Sequence, residues 1–304
     1  MSDSGGAGSK GAGDENFPVA SSLIAPALRP HVGAFYDFAR AADDIADDPG
    51  LGPDQKLARL DAFSDALSGA AQDAPGQDVP GRDAPGGNPV AGFDSGPAWA
   101  LGASLKETGV SPAHARDLLA AFRQDAVKQC YDGWADLMDY CRYSAAPCGR
   151  YLLALHGEAG EAVVAAADAL SAALQVINHL QDCGADYQNL HRVYIPLDWL
   201  EAEGATMGEL AAGATSPALR RVLDRMLVGV DHLLADARSL PALIKNPRLA
   251  LEAAVVAAIA RKLSHRLKTE DPLAGRVALT REQFAGCAMI GLTRGVWARL
   301  RRHP

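Results

Sequence analysis

Between Leu174 and Asp186 the chain reads LQVINHLQDCGAD. Wound as a helix at 100° per residue, Gln175, Asn178, Asp182 and Asp186 fall at about 0°, 300°, 340° and 20°, one narrow polar stripe. Leu174, Val176, Ile177 and Leu180 cover the other faces. Buried polar groups cost free energy unless something occupies them. The stripe therefore either faces solvent or lines an enclosed polar site. The apolar residues around it favour the enclosed site, and that choice demands neighbouring helices to build the enclosure.

The rest of the 304 residues can supply them. The chain is rich in Ala and Leu and poor in β-branched alternation. Ser111–Gln129, Ala135–Leu155, Glu158–Leu180, Pro217–Leu240 and Pro247–Leu267 carry helical periodicity and capping signals. Ser111-Pro112 and Ser216-Pro217 place a serine cap before a proline in the first turn. The longest strand-like run is Arg192–Leu197, and there is no internal repeat. The expected fold class is all-α, a single domain over residues 15–299. Residues 1–14 are Gly/Ser-rich and read as a disordered tail; Gly6, Gly8 and Gly11 match GxGxxG there by accident, with no strand before them. Residues 70–97 are dense in Pro and Gly and read as a flexible surface insertion. Residues 300–304 read as a basic tail, which with Arg299 could at most touch a membrane surface.

Composition narrows the partners. A net charge of -8 argues against nucleic acid as the main partner, because phosphate-backbone binding needs a basic face. The five cysteines, Cys130, Cys141, Cys148, Cys183 and Cys287, are odd in number and lack CxxC spacing, so they read as reduced packing residues. No signal peptide is visible, and no apolar run approaches the roughly 20 residues that span a bilayer. The expected location is the cytoplasm.

A second acidic cluster changes the meaning of the first. In ARAADDIADD, residues 39–48, Asp43 and Asp47 lie one helical turn apart, with Arg40 three residues before Asp43 and Asp44 and Asp48 paired alongside. Val32, Ala34, Phe35 and Phe38 make the same helix apolar, and like charges at i, i+4 are unfavourable without a cation. By itself the cluster reads equally well as a solvated acidic helix end before Pro49-Gly50. Two DxxxD pairs on separate helices facing one cavity are, however, what a multinuclear Mg²⁺–diphosphate site requires, with carboxylates and phosphate sharing the metal ions.

These motifs resemble those of the squalene/phytoene synthase family. Arg192-Val193-Tyr194-Ile195-Pro196 is similar to its RxYxP signature, and Tyr140–Gly149 (YCRYSAAPCG) to its central YC…G helix. The resemblance covers about residues 15–280, with four motifs in order. Within the family, Glu15–Ser21 (ENFPVAS), YCRYSAAP and Asp271–Val277 resemble the hydroxysqualene-forming branch of hopanoid biosynthesis. Most of the family carries Arg just before the first Asp of the second motif; here Gln181 stands there. No Tyr follows Tyr194, so a cation-stabilising late-helix Tyr is not carried over, and the stretch near Ile259 is apolar.

The resemblance implies an isoprenoid-synthase helical domain with a central cavity. It implies Mg²⁺-dependent conversion of presqualene diphosphate and water into hydroxysqualene and diphosphate, without NADPH. Head-to-head prenyl transfer from farnesyl or geranylgeranyl diphosphate is the alternative. A non-catalytic assembly protein of the same fold is a third reading, but such relatives usually lose the aspartates. Asp43, Asp47, Asp182 and Asp186 would hold the metal, with Asp44 in support. Arg40, Arg192 and Arg276 would grip the diphosphate. Gln175 and Asn178 would lie beside the metal and the reacting carbon, and Tyr140 would orient phosphate or face the cation. The partners it suggests are a prenyl diphosphate substrate and other hopanoid-pathway enzymes. Tyr143 and Tyr151, and His31, His156 and His179, read as core or surface residues.

Overall fold

A computed structural model describes residues 22–72 and 93–300, with side chains for 22–70 and 93–293. The tail, the ENFPVAS stretch, residues 73–92 and residues 301–304 lie outside the described residues. The described chain forms twelve α-helices. They are α1 Arg29–Asp47, α2 Pro53–Gln72, α3 Gly96–Thr108, α4 Ala113–Asp125, α5 Trp134–Ser144, α6 Ala146–Leu155, α7 Glu161–Ala185, α8 Leu197–Glu203, α9 Pro217–Asp236, α10 Leu240–Leu243, α11 Pro247–Leu267 and α12 Arg281–Leu300. Its only β pairing is one parallel bridge, Cys130 with Val193.

The apolar interior forms two clusters. One joins α1, α2, α3 and α4 with Tyr151 and Leu155 of α6, around Phe38, Phe63 and Leu101. The other surrounds α7 with residues of α5, α9 and α11, including Ile177, Leu180, Met226 and Ile259. Gly149 lets α6 approach α7 closely, since a Cβ there would stand 2.7 Å from the Ser171 hydroxyl.

Several helix boundaries differ from the sequence pattern, each for a local reason. The expected helix over Ala135–Leu155 is two helices, because Pro147 lacks an N–H and restricts the residue before it. α7 begins at Glu161, after Gly157 and Gly160 take positive φ, and runs past Leu180 to Ala185. Ser216 caps α9 as expected, its hydroxyl accepting from the Leu219 N–H. Ser111 does not occupy the cap of α4: Pro112 does, and the Ser111 hydroxyl accepts from the Ala113 N–H. α9 stops at Asp236, and a 3₁₀ turn over Ala237–Ser239 leads into α10, whose first turn holds Pro241. α2 extends to Gln72 and α3 starts at Gly96, so the Pro/Gly-dense insertion is shorter at both ends than composition suggests.

Hydropathy also singles out a helix that a search for unbroken apolar runs passes over. Residues Glu161–Leu190 are long and apolar enough to cross a membrane by length and composition. This is the helix around which the larger core packs, and it carries Asp182 and Asp186.

Candidate active site

The C-terminal ends of α1 and α7 carry the two acidic pairs, and arginines hold them in different ways. On α1, Arg40 donates to the Asp43 carboxylate at 2.6 Å and to that of Asp44 at 2.9 Å. Asp44 is half exposed, while Asp43 and Asp47 each show about a third of their side-chain surface. Burial, and next the negative charge of Asp47, push the Asp43 carboxyl up to about 7. The paired carboxylates therefore carry negative charge that Arg40 does not fully offset.

Asp47 is held from the far side of the sequence. α7 ends in a π turn, Asp186–Leu190, and His191 then adopts a left-handed backbone with φ 55. Both features reverse the chain so that Arg192 enters the interior. Its guanidinium donates to Asp47 at 2.6 Å and to the Ala46 carbonyl at 2.9 Å, with 6% of the side chain exposed. Burial works against that charge, but Tyr194, Asp125 and Asp47 together hold it protonated. The segment that follows Arg192 is extended against residues 129–132: the Val193, Leu197 and Asp198 N–H groups donate to the carbonyls of Gln129, Tyr131 and Asp132. The strand-like run is thus a single bridge and not a sheet.

Beneath these groups lies a polar cluster that the sequence does not announce. Asp125, at the end of α4, is buried and accepts hydrogen bonds from Tyr140 at 2.7 Å and Tyr194 at 3.3 Å. Burial raises its carboxyl to about 6, against the pull of Arg192 and of both tyrosines. His179 stacks on Tyr194 with ring centroids 3.7 Å apart, and Tyr131 stacks on the same tyrosine's ring at 5.4 Å. The Tyr140 hydroxyl is thus committed to Asp125. Asp125 has no periodic or motif signal in FRQDAVKQ, whereas His179 falls at about 40° on the stripe, within reach of the same face.

On α7 the carboxylates face a more open partner. Arg276, in the segment after α11, donates to Asp182 at 3.1 Å and is 43% exposed. Gln181 fixes that segment by donating from its buried side chain to the Val277 carbonyl. An amide at position 181 therefore positions Arg276. Asp186 is the first residue of the π turn and not the last of α7, and Tyr194 feels its charge. Gln175 and Asn178 are part-buried on the same helix, two turns and one turn before Asp182.

An apolar cavity of about 200 Å³ lies along α1 and α7. Its walls include Phe35 and Ala39 of α1, Leu170 and Leu174 of α7, and Ile244 and Val256 further on. Ala39 is one turn before Asp43, and Leu174 two turns before Asp182, so the cavity runs along earlier turns of the two helices that carry the aspartates, none of which lines it. Glu252 is a buried carboxyl in its wall. A larger groove of about 530 Å³ between α9, α10 and α11 includes no residue of α1 or α7.

The donor set suits a hard divalent cation. Among the described residues no three His, Cys, Asp or Glu side chains converge on one point. Such an ion does not need that: one or two carboxylates suffice when phosphate and water complete the shell. The raised proton affinity of Asp43 marks a place where a cation would relieve repulsion.

An all-α bundle with paired aspartates on two helices whose earlier turns line an apolar cavity is the arrangement of an enzyme acting on prenyl diphosphates. The chain belongs to the squalene/phytoene synthase family, whose family model matches residues 11–283. It is 44% identical over 271 residues to a hydroxysqualene synthase of Rhodopseudomonas palustris, covering 89% of this chain and 85% of the relative. It is 42% identical to a hydroxysqualene synthase of Sinorhizobium fredii, over 88% of this chain and 84% of that one. The crystal structure of squalene synthase HpnC from Alicyclobacillus acidocaldarius is similar to it with a TM-score of 0.68 and 31% identity, covering 82% of this chain and 86% of that one.

Proposed function

We propose that this protein converts presqualene diphosphate and water into hydroxysqualene and diphosphate, with Mg²⁺ and without a nicotinamide. The observation that carries this reading is an apolar cavity lined by the same two helices, α1 and α7, that carry the aspartate pairs at their C-terminal ends. Together they offer charged helix ends for the diphosphate and a dry interior for a C30 hydrocarbon. The identity to hydroxysqualene synthases over most of the chain supports the choice of product.

Asp43, Asp47, Asp182 and Asp186 would hold the metal, with Asp44 keeping Arg40 in place. Mg²⁺ bound there supplies the positive charge that stabilises the departing diphosphate. Arg276, half exposed beside Asp182, is free to exchange its carboxylate for a phosphate oxygen. Arg40 is placed to do the same at α1. Arg192 acts mainly by orienting Asp47, since its donors are already engaged there. Tyr140 acts through Asp125, keeping that buried carboxyl oriented beneath the site. Gln175 and Asn178 bound the space where the ionised carbon would sit. The apolar walls exclude stray water from the resulting cation.

Mass spectrometry of products from presqualene diphosphate, with Mg²⁺ and with or without NADPH, tests this reading. Hydroxysqualene in both cases supports it. Turnover of farnesyl diphosphate alone, with presqualene diphosphate left unconverted, would replace it with a prenyl transferase.

A further inference from the structure

Water capture requires a group that holds one water molecule at the cation and removes its proton, and the residues assigned so far leave that role open. We infer that Nε2 of His179 holds the capturing water and accepts its proton as the carbon–oxygen bond forms, an assignment that rests on the proposed hydroxysqualene-forming reaction.

The first support is position. His179 lies one turn after Gln175 and three residues before Asp182, at the edge of the polar stripe that carries both. Its ring packs face to face on Tyr194 with an interplanar angle of 14°, and the Tyr140 ring lies 6.0 Å away. Those two tyrosines meet at Asp125, and Arg192 is close enough for its charge to act on the imidazole. The second support is an unmet hydrogen bond. His179 is only 7% exposed, and its Nε2 is buried with no partner among the described residues. Buried polar atoms are nearly always satisfied by protein or by an ordered water, and a polar pocket with several partners is where such a water resides.

The chemistry is consistent with that placement. Burial, and then Arg192, push the imidazole down to about 3, so the ring is neutral at neutral pH. In the tautomer protonated at Nδ1, the Nε2 lone pair accepts a hydrogen bond from water. A neutral ring also does not repel a neighbouring carbocation. When the water oxygen bonds to the cationic carbon, the product is a protonated alcohol, a far stronger acid than an imidazolium even in this site. The proton passes to Nε2, leaving neutral hydroxysqualene and an imidazolium. The imidazolium returns its proton to solvent when product and diphosphate leave. Asp125 is less suited, because both of its oxygens already accept from tyrosine hydroxyls.

The test compares wild type with His179→Phe, which keeps an aromatic ring on Tyr194 but removes the nitrogen, and with His179→Gln, which can hold a water but is a much weaker base. Diphosphate release and product composition are measured from presqualene diphosphate with Mg²⁺ in ¹⁸O-labelled water. Wild type should place the label in hydroxysqualene. The Phe variant should still release diphosphate within about tenfold of wild type, while the ratio of hydroxysqualene to eliminated hydrocarbon and other alcohols falls at least about tenfold. The Gln variant should lie between the two. An unchanged product ratio in the Phe variant overturns the assignment, as does a folded Phe variant that no longer releases diphosphate. If the Phe variant does not fold, the Gln variant decides by the same ratio. Wild type that releases no diphosphate from this substrate overturns the proposed function itself, and the assignment with it.

Discussion

The two acidic helix ends rest on different supports. At α1, Asp47 leans on Arg192, a guanidinium 6% exposed and also bonded to the α1 backbone. At α7, Asp182 leans on Arg276, a guanidinium 43% exposed on a connecting segment that Gln181 tethers. A buried ion pair is costly to break, because removing one partner strands the other in a poorly solvated place. A half-exposed pair is worth little and exchanges easily. The α1 side is thus prebuilt, and the α7 side is the half that can rearrange around a substrate.

The largest contrast to test is between the two arginines. Arg192→Met should cost about 3–5 kcal/mol of stability, since Asp47 and Asp125 lose their shared cation. Arg276→Met should cost under about 1 kcal/mol and act on substrate binding instead. Thermal and denaturant melts measure both, and equal losses would break the comparison.

Tyr140→Phe should have the next largest effect. It removes a 2.7 Å hydrogen bond from buried Asp125 and should cost about 1–3 kcal/mol in the same melts. Because Asp125 touches Arg192 electrostatically, this variant should also lower the rate of diphosphate release, whereas a variant confined to the α7 side should not share its loss of stability.

The pH dependence sharpens the contrast further. The Asp43 carboxyl is raised from an ordinary carboxylate value to about 7 in the folded protein. Between those values the folded state binds more protons than the unfolded chain, so its contribution to stability is full below the ordinary value and is lost as pH rises through about 7. Without divalent cations, Asp43→Asn should therefore melt a few degrees higher than wild type at pH 8, with the gap closing below about pH 4. Mg²⁺ with inorganic diphosphate should raise the wild-type melting temperature at pH 8 and leave the variant nearly unmoved. The smallest effect belongs to Gln181→Leu. Loss of one buried amide contact should cost about 1 kcal/mol and raise KM a few-fold through a looser Arg276.

The fold was largely legible because helical periodicity and the proline and serine caps are local signals. The misplaced boundaries came where one residue overrides a periodic run: Pro147 splitting a helix, and Gly157 and Gly160 delaying the start of another. Both DxxxD pairs could be read from spacing, and Arg192 and Arg276 came with the resemblance to the family's motifs. Their partners could not, since Asp125 meets Tyr140 and Tyr194 only through packing of segments 15 and 69 residues apart. His179 sits on the legible stripe but looks like any core histidine until its stacking and unpaired nitrogen are seen.

The central claim is that both carboxylate pairs serve one diphosphate. Its most direct test is the rate of diphosphate release from presqualene diphosphate and Mg²⁺ by wild type, Asp43→Asn and Asp182→Asn, with folding checked by melting. The account predicts release by wild type and a loss of about 10²–10³-fold in each variant. Wild-type rates in either folded variant would contradict it.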